Sequence, residues 1–153
     1  MEDIKRILVV SRSTKHCRKA VHYGIALAKT YGADLYVVHI FHDPFSLEGW
    51  NLPIALGTIQ EEYKKMQADA KSALDKIIHS EQRQGTPINV EEIIIEGKPA
   101  HEILNFVKRE KIDLVIMLAH EEGHLEHFLY GHDNEKIIRK MPCSVLLVKS
   151  GLA

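Results

Sequence analysis

The chain has 153 residues, of which 45% are hydrophobic and 27% charged. That length suits one domain spanning 1–153, and the apolar fraction is too high for a disordered chain. Twenty Lys and Arg against 21 Asp and Glu leave a formal net charge of −1, so no charge imbalance points to nucleic acid or an anionic membrane.

The N-terminus runs Met1-Glu2-Asp3-Ile4-Lys5-Arg6 into a short apolar run, without the basic start, long apolar stretch and small-residue cleavage site of a secretory signal. Cys17 and Cys143 are far apart and form no CxxC pair, so neither a disulfide framework nor a four-cysteine zinc site is expected. No apolar run approaches the roughly 20 residues of a membrane span. These features predict a soluble, cytoplasmic protein.

Ile7-Leu8-Val9-Val10 reads as a strand covered on both faces. Ser13 or Thr14 is a natural N-cap for a helix whose buried face carries Cys17, Ala20, Gly24, Leu27, Ala28 and Tyr31, closed by Gly32. Leu35 to Ile40 is a second buried strand. Pro44, Gly49, Pro53 and Gly57 punctuate residues 42–57, which read as a long loop containing Phe45 and Trp50. From Thr58 the spacing of Ile59, Tyr63, Met66, Ala70, Ala73, Leu74, Ile77 and Ile78 predicts a long amphipathic helix ending before Gly85.

Ile88 to Ile95 is a third strand, followed by the turn Gly97-Lys98-Pro99, with Pro99 suited to the first helical position. Ile103, Leu104 and Val107 form the stripe of the next helix. Leu114 to Leu118 is a fourth strand, and a short helix through Glu135, Ile137 and Ile138 precedes the fifth, Val145 to Val148. Strands alternating with helices imply parallel pairing through right-handed crossovers: an α/β fold with an open, doubly wound, five-stranded parallel sheet of Rossmann-like type. Ligands of such sheets sit at the carboxyl ends of the strands, where strand order reverses. Ser11 to Thr14 is then one wall of any site, and the segment after Leu118 the richest candidate for the other.

The ordered set of segments resembles the universal stress protein family. It comprises Ile7-Leu8-Val9-Val10 with a helix opening near Ser13, His39 beside Ile40, and Glu96-Gly97-Lys98-Pro99-Ala100. It continues with Asp113-Leu114-Val115-Ile116-Met117, His120, Gly131 and Met141-Pro142-Cys143-Ser144-Val145-Leu146-Leu147-Val148. The resemblance implies a five-stranded parallel sheet of the adenine nucleotide alpha hydrolase-like type, frequent homodimers, and a role in stress survival rather than a metabolic reaction.

Family members that bind ATP look like Gly-x-x-Gly, nine residues, Gly, then Ser or Thr, a pattern in which glycines let backbone amides approach phosphates. Laid onto this chain, those positions fall on Leu118, Glu121, Gly131 and His132, and only Gly131 matches. The aspartate that usually ends the first strand falls on Ser11, and the glycine after it on Arg12. A carboxylate such as Glu121 held about 4 Å from a phosphate charge costs on the order of 4 kcal/mol at an effective dielectric of 20. The resemblance therefore implies a degenerate nucleotide site at Ser11, Arg12, Ile40, Gly131 and His132, with ATP or another adenine nucleotide held weakly.

His120-Glu121-Glu122-Gly123-His124 matches H-E-x-x-H, but the metalloprotease pattern requires a helix, and here it follows a buried strand and contains Gly123. No metal is expected; His120, His124 and His127, with Glu121 or Glu122, are the candidates to share a zinc ion, should the segment turn helical. His39 reads as a buried, hydrogen-bonded group, His16, His22, His79 and His101 as surface helix positions, and Lys15, Arg18 and Lys19 as a solvated basic face. No nucleophile–base or acid–base pair emerges. The expectation is a non-enzymatic binding protein acting as a homodimer through its last strand, or with another protein partner. The alternatives are a nucleotide-binding regulator with altered phosphate contacts and, more remotely, a metal-dependent hydrolase using the histidine segment.

Overall fold

A computed structural model of the chain describes residues 3–11, 17–41, 56–83, 85, 87–119 and 133–149. In these the elements run β1 (Arg6–Ser11), α1 (Cys17–Tyr31), β2 (Asp34–Phe41), α2 (Leu56–Gln82), β3 (Val90–Glu96), α3 (Pro99–Glu110), β4 (Leu114–Ala119), α4 (Asp133–Lys140) and β5 (Ser144–Lys149). The strands form one sheet in the order β3-β2-β1-β4-β5, and every neighbouring pair is parallel. The expected doubly wound sheet is present, with β1 at its centre.

Strand alternation sends successive side chains into two core layers. Ile7, Val9, Leu35, Val37 and Ile116 pack under α1 and α2 with Ala20, Val21, Ile25, Ala28, Leu74 and Ile78. Leu8, Val10, Val38, Val115 and Met117 pack on the other face with Ile103, Phe106 and Val107 of α3 and Ile137 of α4. A sheet covered on both sides is why β1 and β4 read as unbroken apolar runs.

The buried arc of α1 differs from the predicted one: Val21 and Ile25 are in the core, while Tyr31 is 48% exposed. With 3.6 residues per turn the arc is centred on Ala20, Gly24 and Ala28, and Tyr31 falls on its flank in the last turn, just before Gly32 ends the helix at φ 65°. Gly24 faces the sheet so closely that a Cβ there would run into Val9 Cγ2 and lie 3.2 Å from Leu35 Cδ1.

α2 starts at Leu56, so Leu56 and Gly57 belong to its first turn and not to the loop expected over 42–57; residues 42–55, with Phe45 and Trp50, lie outside the described residues. In α3, Pro99 takes the first position as expected, and Phe106 joins Ile103 and Val107 in the core. The helix ends on Lys111, whose backbone is left-handed at φ 53°.

Candidate functional site

Strand order reverses beside β1, which has β2 on one side and β4 on the other, so the crevice of this sheet opens at the carboxyl ends of β1 and β4. Ser11 is the last residue of β1 and is fully buried. Its register partner on β2 is His39, itself 5% exposed. Both share the parity of Val9 and Val37, whose side chains enter the α1/α2 layer, so the pair lies side by side on that face of the strand exits.

Burial pushes the His39 imidazole down to about 4, so the ring is neutral at physiological pH. A neutral imidazole and a hydroxyl each donate and accept hydrogen bonds but supply no fixed charge. This part of the floor suits an uncharged polar group and gives a phosphate no countercharge.

Ile40 is buried in the opposite core layer with Leu8, Val10 and Val38. Its side chain is committed to packing, which leaves only its backbone to face a ligand. Across the crevice Leu118, next to the end of β4, packs its partly buried side chain against the α1/α2 layer. The position where the family motif has its first glycine is therefore occupied by a branched, core-bound side chain. Arg12, Glu121, Gly131 and His132, and the metal candidates His120, His124 and His127, lie outside the described residues.

Among the described residues no group of three His, Cys, Asp or Glu is placed to hold a metal, and no helix is long and apolar enough to cross a membrane. His22, His79 and His101 are exposed, as are Arg18 and Lys19. Burial, and secondarily the Asp113 carboxylate, push the Cys143 thiol up, away from the thiolate form that reacts. Sequence reasoning did not single out Glu92 of β3, whose carboxyl group is pushed up to about 7, by burial first and then by Asp75 of α2. The available signal was parity, since Glu92 stands between Val90 and Ile94, two residues from each, on one face of the strand.

A universal stress protein of Methanocaldococcus jannaschii is similar to this chain, at 29% identity over 146 residues, covering 95% of this chain and 82% of the relative. Among solved structures, the universal stress protein UspA from Lactobacillus plantarum shares the fold with a TM-score of 0.79 at 21% identity, covering 97% of this chain and 99% of that one. Two further fold matches, each with a TM-score of 0.60, are a universal stress protein in complex with cAMP and one from Archaeoglobus fulgidus in complex with dAMP. They are 17% and 16% identical, cover 98% and 97% of this chain, and are themselves covered over their full length. The family model for universal stress proteins matches residues 3–149, from before β1 to the end of β5. With the parallel sheet, the central β1 and the crevice at its exit, this match establishes that the chain belongs to the universal stress protein family.

Proposed function

We propose that this protein is a cytoplasmic, non-enzymatic universal stress protein that acts as a homodimer and holds ATP only weakly. The observation that carries the reading is Leu118. A backbone approached by phosphates needs an uncluttered Cα, and here that position bears a side chain packed into the core. Ser11 in place of a carboxylate, and neutral His39 beside it, leave the described floor without charge. Native mass spectrometry of the purified protein tests this directly: no stoichiometric ATP is expected, and one ATP per chain would overturn the reading.

Dimerisation rests on β5. Among the described residues it closes the sheet order and pairs with β4 on one side only, which leaves the backbone groups of its other edge open there. Leu147 is 46% exposed on this strand, and Ile138 of α4 is 38% exposed. Pairing of two β5 edges about a two-fold axis satisfies the backbone and covers such side chains.

A second reading, a nucleotide-binding regulator with altered phosphate contacts, is favoured by the two fold relatives that carry cAMP and dAMP. Both ligands have a single phosphate, so neither needs a cradle for a terminal phosphate. Titration with AMP, cAMP and ATP separates the readings: tighter binding of the monophosphates supports the second, and no binding of any supports the first.

A further inference from the structure

β3 is the opposite edge of the sheet: among the described residues only β2 pairs with it. One hydrogen bond fixes which of its backbone groups face outward. The Leu35 N–H donates to the Asn89 carbonyl at 2.9 Å, so Asn89 turns its backbone toward β2. Successive residues of a strand in a parallel ladder alternate in this respect. Glu91, Ile93 and Ile95 therefore bond to β2, and the N–H and C=O of Val90, Glu92 and Ile94 point to the open edge.

The side chains along this edge follow a definite order. Ile93, Ile94 and Ile95 are each only partly buried, although Ile93 and Ile95 pack on the layer under α3. Glu91 and Glu96 flank them and are both exposed. Their odd spacing sets them on opposite faces of the strand. Glu92 is partly buried, and its enclosed Oε2 has no hydrogen-bond partner among the described residues. β3 thus carries three carboxyl groups and no cation, whereas β5 at the other edge carries Lys149 and no acid.

A second copy of β3 fits this edge poorly. Antiparallel pairing about a two-fold axis set between Ile93 and Ile94 puts Glu91 opposite Glu96, and one centred on Ile94 puts Glu92 opposite Glu96. Like charges directly opposite one another destabilise paired strands, and opposite charges stabilise them.

We propose that the open edge of β3 is a docking strand for an extended segment of a partner protein, apolar in its middle and basic at both ends. Such a segment adds a sixth strand to the sheet. Its backbone bonds to Val90, Glu92 and Ile94, its apolar side chains cover Ile93, Ile94 and Ile95, and a Lys or Arg at each end stands beside Glu91 and Glu96. The surface is distinct from the crevice, from which β2 separates it, and from the β5 edge.

Amide NMR and hydrogen exchange of the full chain with the capped peptide Lys-Thr-Val-Thr-Val-Lys test this. Shift changes are expected along 90–96. At saturating peptide the exchange of the Glu92 and Ile94 amides should slow about tenfold, while the Ile93 and Ile95 amides, already in the ladder, hold. The counterpart peptide with glutamate at both ends should bind about tenfold more weakly, and Glu91→Gln with Glu96→Gln should weaken the lysine peptide about fivefold. Equal binding of the two peptides, changes centred on 144–149, or no binding up to about 1 mM overturns the proposal. Protection of the Glu92 and Ile94 amides without peptide overturns it too. At every protein concentration that result puts another part of this chain on the edge, and at high concentration alone it puts a second copy there.

Discussion

The carboxylate of Asp113 ties the central strand to its neighbour: Oδ2 accepts the backbone N–H of Arg6 and that of Lys5, both at 2.9 Å. The Asp113 N–H in turn donates to the Arg6 carbonyl at 2.9 Å, and the Arg6 guanidinium donates to the Glu110 carbonyl at 2.7 Å. Asp113 begins the fourth strand's approach to β1 at the end of the sheet opposite the crevice. Hydrogen bonds to an ionised acceptor are stronger than neutral ones. Asp113→Ala should lower stability by about 2 kcal/mol, with a fall in Tm of roughly 4–8 °C for a chain of this size. Asp113→Asn, which keeps an acceptor without its charge, should recover about half, as read by thermal melts.

Gly24 is the place where helix and sheet touch most closely. Ala is favoured over Gly inside a helix by about 1 kcal/mol. Here the added methyl would meet Val9 and Leu35 in a filled layer, and overpacking costs typically 1–3 kcal/mol. The clash should win. Gly24→Ala is expected to destabilise by about 1–2 kcal/mol in urea unfolding; a stabilised variant would mean that the layer between α1 and β1 relaxes freely.

Apolar runs and their punctuation carried most of this fold. Four to six aliphatic residues in a row, as in Ile7 to Val10 and Leu114 to Leu118, have no reading other than a strand or a buried helix segment, and the flanking turn residues decide between them. What periodicity could not fix was the exact arc that faces the sheet. Tyr31 fits a three- and four-residue stripe, yet it is exposed while Val21 and Ile25 are buried, because several neighbouring stripes fit one apolar helix. The crevice was legible only in outline. Ser11 and Leu118 stand at the strand exits as topology requires, but that Ile40 packs into the far layer depends on strand parity. The raised value of Glu92 comes first from its burial, which depends on tertiary packing and which no local pattern reports.

His39 sets one side of the acid response. Its value in the folded chain is lowered from 6.5 to about 4 by burial, so its contribution is present above 6.5 and is lost as pH falls toward 4. Glu92 acts in the opposite sense, losing its contribution as pH rises from 4.5 through about 7. Between 4.5 and 6.5 the two offset each other. His39→Gln should therefore gain relative stability on acidification, by on the order of 2 kcal/mol between pH 7 and 4.5. Glu92→Gln should show a steeper acid loss than the wild type over the same range. Denaturant midpoints at pH 4.5, 5.5, 6.5 and 7.5 read both; parallel profiles for all three proteins would contradict the assignment.

The β5 edge gives a prediction about assembly. Leu147→Lys places a charge on the open edge strand, where charged side chains oppose edge-to-edge pairing. The wild type should be dimeric by light scattering at micromolar concentration, and the variant should shift toward monomer with its circular dichroism unchanged. A monomeric wild type would remove β5 pairing from the account.

The central claim, that the nucleotide crevice is degenerate, is tested most directly by calorimetry with ATP. The wild type should bind with a dissociation constant above roughly 100 μM, because Leu118 and Glu121 together remove several kcal/mol of phosphate recognition. The double change Leu118→Gly with Glu121→Gly should tighten binding about tenfold or more, and adding His132→Ser should give a smaller gain near that of one hydrogen bond, ~1 kcal/mol. Tight ATP binding by the unmodified chain, or no gain from the double change, would contradict the claim and mean that other residues organise the pocket.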